Sequence, residues 1–283
     1  MKIGYFGFNM GPLGVPEAIR EILGAVERCG FESAWTGEHV IAIDPQVPPS
    51  PIAPDHPMLD TVAALSFAAA ATSRIKLGSG IILLAQRNPL VLAKELASID
   101  VLSQGRLLVG VGVGYIAGEF EALGIPYGER GGRVDDHIEA MRAIWTQEKP
   151  VFKGKFTSFA GVQSKPSPVQ TPHPPIIIGG MSAPAYRRAV RHGSGWYGFN
   201  QDLEAAAASI AGIRSAETEN ERPAHLGQLS ISVTPRGTVD KDSIKRYEDL
   251  GVERLMLLPK GRGGPTERAV QFVEETAARL GLG

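Results

Sequence analysis

Residues 75–111, IKLGSGIILLAQRNPLVLAKELASIDVLSQGRLLVGV, decide the fold. Ile75-Lys76-Leu77-Gly78-Ser79 and Leu107-Leu108-Val109-Gly110-Val111 are short, mostly apolar runs that read as strands. Between them Pro89 opens a stretch of helical period that stops before Gln104-Gly105. Proline suits a first helical turn, where its missing N–H would have had no partner. Strands apolar on both faces belong to parallel sheets covered by helices. The segment therefore predicts a strand–helix–strand crossover.

The same alternation extends to both ends of the chain. Upstream lie a strand near Lys2–Phe8, a helix from Pro16 with Ile19, Ile22, Leu23 and Val26 on one face, and a strand at Ser33–Thr36. An alanine-rich helix near Met58–Thr72 follows, apolar almost all round. Downstream, a helix carries Val134, Ile138, Met141 and Trp145, and Pro175–Ile178 is a strand with a helix from about Ser182. Gly195–Phe199 carries the faintest strand pattern, and a helix runs from Asp202. A strand within Gln228–Val233 leads to a helix capped by Asp240, then to a strand at Leu255–Leu258 and a helix with Val270, Val273, Ala277 and Leu280. Eight such units predict one (β/α)8 TIM barrel over residues 1–283, with a doubly wound open sheet as the rival.

Two long connections break the rhythm, Val40–Pro57 after the second strand and Glu148–Pro174 before the fifth. The first leaves the C-terminal ends of the strands, where barrel active sites sit. The second reads equally as a flap over that face or as surface decoration.

Composition narrows the function. Hydrophobic residues make up 43% and the formal net charge is −1, which leaves no basic excess for nucleic acid. Nothing resembles a signal peptide and no apolar run approaches membrane-spanning length. The single Cys29 has no internal disulfide partner and reads as a small core residue. A cytoplasmic homodimer acting on a small molecule is the expected setting. The six histidines lack metal-ligand spacing, so no metal is expected, and no Gly-x-Ser-x-Gly nucleophile elbow is present.

Four strand ends carry chemistry. Trp35-Thr36-Gly37-Glu38-His39 puts an acid and an imidazole at the rim, and histidine exchanges protons near neutral pH. Gly78-Ser79-Gly80-Ile81 allows a bulge. Gly112, Gly114 and Ala117 match the spacing of a dinucleotide fingerprint, yet no full helix opens there, so a flat floor for a planar ring is the better reading. Gly179-Gly180-Met181-Ser182 precedes a helix, as a phosphate cradle or an ordinary turn with Ser182 as N-cap. Trp35, Tyr115, Trp196 and Tyr197 suggest an aromatic substrate pocket, or core aromatics.

Taken in order, Trp35–His39, Leu77–Ile81, Arg87-Asn88-Pro89, Ile99–Arg106, Gly110–Gly114 and Ile177–Gly180 resemble the luciferase-like monooxygenase family, most closely its actinobacterial branch dependent on coenzyme F420. The resemblance implies a (β/α)8 barrel with a flavin or deazaflavin ring at its C-terminal mouth. It implies that Ser79-Gly80-Ile81 backs the ring with a cis Gly80–Ile81 bond, and that Gly112, Gly114 and Tyr115 flank it. It places the phosphate at Gly179, Gly180, Met181 and Ser182, and the acidic tail among Lys153, Lys155, Arg187 or Arg188. His39, with Glu38, takes the catalytic position. Tyr115 stands where some deazaflavin members carry a glutamate, which argues against their sugar-phosphate dehydrogenase activity. Hydride transfer between F420 and an organic substrate is the preferred expectation. An FMN-dependent monooxygenase and a non-catalytic F420 carrier are the alternatives.

Overall fold

Parallel pairing runs around the whole chain. The computed structural model describes residues 1–259 and 265–283. Its barrel strands are β1 (Lys2–Phe6), β2 (Ser33–Thr36), β3 (Lys76–Ser79), β4 (Leu107–Gly112), β5 (Ile176–Gly179), β6 (Gly195–Gln201), β7 (Ser230–Pro235) and β8 (Arg254–Leu257). Each pairs in parallel with the next, and Lys2 of β1 lies opposite Arg254 of β8. The sheet is closed, which eliminates the open doubly wound alternative. A further two-residue strand, Ile82–Leu83, rejoins β4 at Val111 and Gly112.

Outside the strands pack α1 (Pro16–Arg28), α2 (Thr61–Ala71), α3 (Pro89–Leu102), α4 (Arg130–Thr146), α5 (Ala183–His192), α6 (Leu203–Glu219), α7 (Lys241–Asp249) and α8 (Thr266–Leu280). The side chains of Asp60, Asn88, Asp202 and Asp240 cap α2, α3, α6 and α7 by accepting backbone N–H bonds of the first turn. The α2 start therefore lies at Thr61 rather than near Met58.

Alternate residues of each strand face opposite ways. Ile3, Tyr5, Leu77, Val109, Ile178 and Leu255 join the helices in the outer core. Phe6, Trp35, Leu108, Ile177, Tyr197 and Met256 fill the barrel interior. Trp35 is fully buried there, its Nε1 donating to Ser33 Oγ at 2.8 Å. Gly78 is glycine for this reason, since a Cβ would overlap the Trp35 ring. Trp196 is also fully buried, but on the outer side of the wall, where it meets Tyr186 of α5 and donates to Gly180 O. Neither tryptophan lines a substrate pocket. Both expectations are corrected, because strand parity sends one ring into the packed interior and the other beneath a helix.

The two long loops part company. The first lies at the rim: Gly11 N donates to Pro57 O, and Ile43 packs over Gly118 of the short helix Ala117–Ala122. The second descends the flank. Its hairpin, Phe152–Lys153 with Ser158–Phe159, leans on α4 through Phe156 N to Asp136 Oδ1, and Val169 N and Gln170 N both bind Asp100 of α3. No helix among the described residues is long and apolar enough to cross a membrane.

Candidate active site

At the C-terminal mouth, the turn after β2 is tied down before it reaches His39. Asn9, fully buried, donates to Gly37 O and Leu59 O and accepts from Gly37 N. Thr61 Oγ1 also donates to Gly37 O. A backbone held at Gly37 by three such bonds presents the next two side chains in opposite directions.

Glu38 turns inward. Its carboxylate takes Arg87 Nε at 3.2 Å, Arg87 Nη2 at 2.9 Å and Leu83 N at 3.0 Å. Burial pushes the Glu38 carboxyl above its ordinary range, against the pull of Arg87. Arg87 reaches on to Asp60, so the cluster fastens the start of α3 to the start of α2. The catalytic role expected of Glu38 is corrected: its oxygens are consumed by this ion pair, away from the mouth.

His39 turns the other way. Its Nδ1 lies 2.6 Å from Glu119 Oε1, on the short helix after β4. The Glu119 side chain is 1% exposed and that of His39 12%. Gln86 Nε2 donates to the other oxygen, Glu119 Oε2, at 3.1 Å. His39 Nε2 has no partner among the described residues. An imidazole with one nitrogen bound by a carboxylate and the other open thus stands at the rim, an arrangement suited to proton transfer.

Beside it, the chain breaks pattern after β3. The Gly80–Ile81 bond is cis, as the resemblance implied. Ser79 Oγ donates to Gly110 O at 2.8 Å and accepts from Gly110 N at 2.9 Å, so its hydroxyl knits β3 to β4 and is not free for a ligand. Ile81 projects inward over the interior cluster and stays half-exposed. Cβ atoms at Gly112 and Gly179 would overlap or crowd Ile81 Cδ1, and one at Gly114 would come within 2.8 Å of Phe120. The flat floor expected at Gly112 and Gly114 is therefore covered by side chains, Phe120 over Gly114 and Ile81 over Gly112, and the apolar surface there is the Ile81 side chain. Tyr115 stands half-exposed at the same rim, and burial together with Glu119 raises its hydroxyl above the ordinary range.

Across the mouth, β5 ends at Gly179 and Gly180 follows it. Gly180 has φ +126°, a conformation side chains rarely adopt, and its N–H donates to Tyr197 O. Met181 and Ser182 are exposed. The Ser182 hydroxyl makes no cap bond, so the ordinary N-cap reading fails and the first N–H groups of α5 lack a side-chain acceptor. The positive end of α5 faces outward there. Of the basic residues considered for an acidic tail, Arg188 is buried and paired with Asp135 Oδ1 at 2.6 Å, which removes it. Lys153 and Lys155 belong to the flank hairpin, while Arg187 is exposed. A separate cleft of about 380 Å³, lined by Arg87, Asn88, Arg133, His137 and Phe156, lies outside the barrel wall.

The luciferase-like monooxygenase family model matches residues 1–277. The chain belongs to that family. An uncharacterized Mycobacterium tuberculosis protein is 32% identical over 225 residues, covering 78% of this chain and 76% of its own length. An FMNH2-dependent dimethylsulfone monooxygenase of Pseudomonas putida is 38% identical over 176 residues, covering 61% and 48%. Among solved structures, an F420-dependent secondary alcohol dehydrogenase shares the fold at TM-score 0.78 and 16% identity over 98% of this chain and 99% of its own. An FMNH2-dependent relative and an F420-dependent neighbour of the same fold thus both resemble this chain.

Sequence reasoning missed Glu119, Gln86 and Asn9. Each is an isolated polar residue in an unremarkable run, and no local spacing links it to His39. The one available signal was Glu119-Phe120 following a glycine-rich strand end, where a buried acid is out of place without a partner.

Proposed function

We propose that this luciferase-like protein is an F420-dependent oxidoreductase that moves a hydride between the coenzyme and a small organic substrate. The observation that carries the reading is the His39–Glu119 pair at the mouth, beside the Ile81 platform. Gly180 leaves backbone room and the first turn of α5 leaves N–H groups without a side-chain cap, which suits a phosphate. The residues present therefore fit a ring on Ile81 and a phosphate at Gly179–Ser182. Bound there, a deazaflavin supplies a hydride acceptor or donor. His39 Nε2 takes the proton of a substrate hydroxyl as its carbon gives up hydride, and returns it in the reverse direction. The rim loop after β2 limits water.

The likeness to the dimethylsulfone monooxygenase favours a second reading, an FMN-dependent monooxygenase. Parallel calorimetric titrations with F420 and FMN separate the two. Saturable F420 binding with weak FMN binding supports the first. Tight FMN binding without F420 binding moves the protein to the second, and F420 binding without turnover of any alcohol or carbonyl substrate moves it to a carrier. The same reading includes a cytoplasmic homodimer, which light scattering of the purified chain checks for its oligomeric part.

A further inference from the structure

We infer that Glu119, held by Gln86, is a positioning residue that locks His39 in the Nδ1–H tautomer and so dedicates Nε2 to accepting the substrate proton. The role of Nε2 rests on the hydride-transfer reading, whereas the tautomer is a property of the chain alone.

The geometry leaves little choice of roles. A carboxylate oxygen accepts, so a 2.6 Å approach to Nδ1 requires the ring proton on that nitrogen. The second oxygen accepts from Gln86 Nε2. A flipped amide would set Gln86 Oε1 against Glu119 Oε2, acceptor to acceptor. In the orientation found, Gln86 Oε1 is buried with no partner. Leaving one acceptor unmet is tolerated because the donor is needed on Glu119. Glu119 is nearly solvent-free, and Phe120 beside it is fully buried, so the carboxylate cannot swing to water. A neutral imidazole fixed in this way carries its lone pair on Nε2, at the opposite edge of the ring. When Nε2 gains a proton, the resulting cation lies against the carboxylate. The short helix Ala117–Ala122 carries both buried groups, Glu119 facing His39 and Phe120 packed into the core.

The test uses the ligand-free protein first. Long-range proton–nitrogen correlation spectra of nitrogen-15 histidine-labelled protein at alkaline pH report which ring nitrogen carries the proton, with His39 identified by its loss in His39→Gln. Wild type is expected to show Nδ1–H and a bare Nε2. Glu119→Met, similar in volume and only a weak, uncharged acceptor, should lose that tautomer. Glu119→Gln retains an acceptor and should restore it. In turnover assays with a substrate established by the function test, Glu119→Met should lower kcat roughly 10- to 100-fold, the size of loss that follows when the orienting partner of a metal-bound histidine is removed. KM and coenzyme affinity should change little, and Glu119→Gln should recover most of kcat. A wild-type His39 that is protonated on Nε2 overturns the inference, as does a Glu119→Met protein with the wild-type tautomer. If neither variant folds, the wild-type spectrum alone decides. Failure of F420 to bind would overturn the hydride-transfer reading while leaving the tautomer result intact.

Discussion

Replacing Gly112 by alanine tests whether Ile81 is the platform of the mouth. The added Cβ would overlap Ile81 Cδ1, and the next atom it meets is Ile81 Cγ1 at 3.3 Å. One terminal methyl therefore accounts for the clash. Overpacking of this kind costs about 1–3 kcal/mol. Ile81→Val deletes that methyl, and alone it costs about 0.5–1.5 kcal/mol. In the double variant the overlap is gone and the remaining 3.3 Å contact needs only a small adjustment, so its stability should match Ile81→Val. The coupling between the two sites should then approach the whole cost of Gly112→Ala, about 1–3 kcal/mol, where independent sites would add. Chemical-denaturation midpoints of the four proteins give the cycle. Gly112→Ala should also drive Ile81 upward into the mouth and weaken coenzyme binding, with Ile81→Val restoring it. Strict additivity in stability, or a Gly112→Ala protein with wild-type coenzyme affinity, would refute the placement of Ile81 between Gly112 and the ring.

Three further outcomes are expected. His39→Ala should cut turnover about 100- to 10,000-fold with coenzyme affinity nearly unchanged, measured by steady-state kinetics and titration; unaltered kcat would make His39 a rim residue without a chemical role. Gly180→Asp places a side chain at φ +126° and a negative charge at the start of α5. It should weaken the bound coenzyme by at least about tenfold, roughly 1.4 kcal/mol in a calorimetric titration, while Ser79 and His39 are left untouched. Glu32 is held below the ordinary carboxylate range, Arg254 overcoming the burial that would raise it. A carboxyl with a depressed folded pKa stabilises the fold above its unfolded value, and that contribution is lost as pH falls through the folded value. The stability difference between wild type and Arg254→Met should thus be largest near neutral pH and shrink below about pH 4. A difference constant down to the acid limit would show that Glu32 and Arg254 are not coupled.

Fold and order of elements were legible in the chain itself. Apolar runs, helical periods and the proline and glycine punctuation at Pro16, Pro89 and Gly30 are local, and they repeat eight times, so the barrel follows from short-range rules. β6 shows the limit of such rules: its pattern is the faintest, yet at seven residues it is the longest barrel strand, because neighbours on both sides supply its pairing. The cis bond at Gly80–Ile81 and the rim position of His39 were likewise within reach of the residues and the family likeness.

Which side each residue faces, and what it meets there, was decided only on closure. Trp35 and Trp196 read alike as pocket aromatics, but strand parity puts one in the interior and the other under α5. Glu38 and His39 are adjacent in the chain and part company because consecutive side chains of an extended turn diverge, one to Arg87 and one to Glu119. The His39–Glu119 pair joins residues 80 positions apart. No pattern within a window of sequence encodes such a contact. It exists because the ends of β2 and β4 come to the same rim when the sheet closes, and because a carboxylate shut away from water there has an imidazole to accept from.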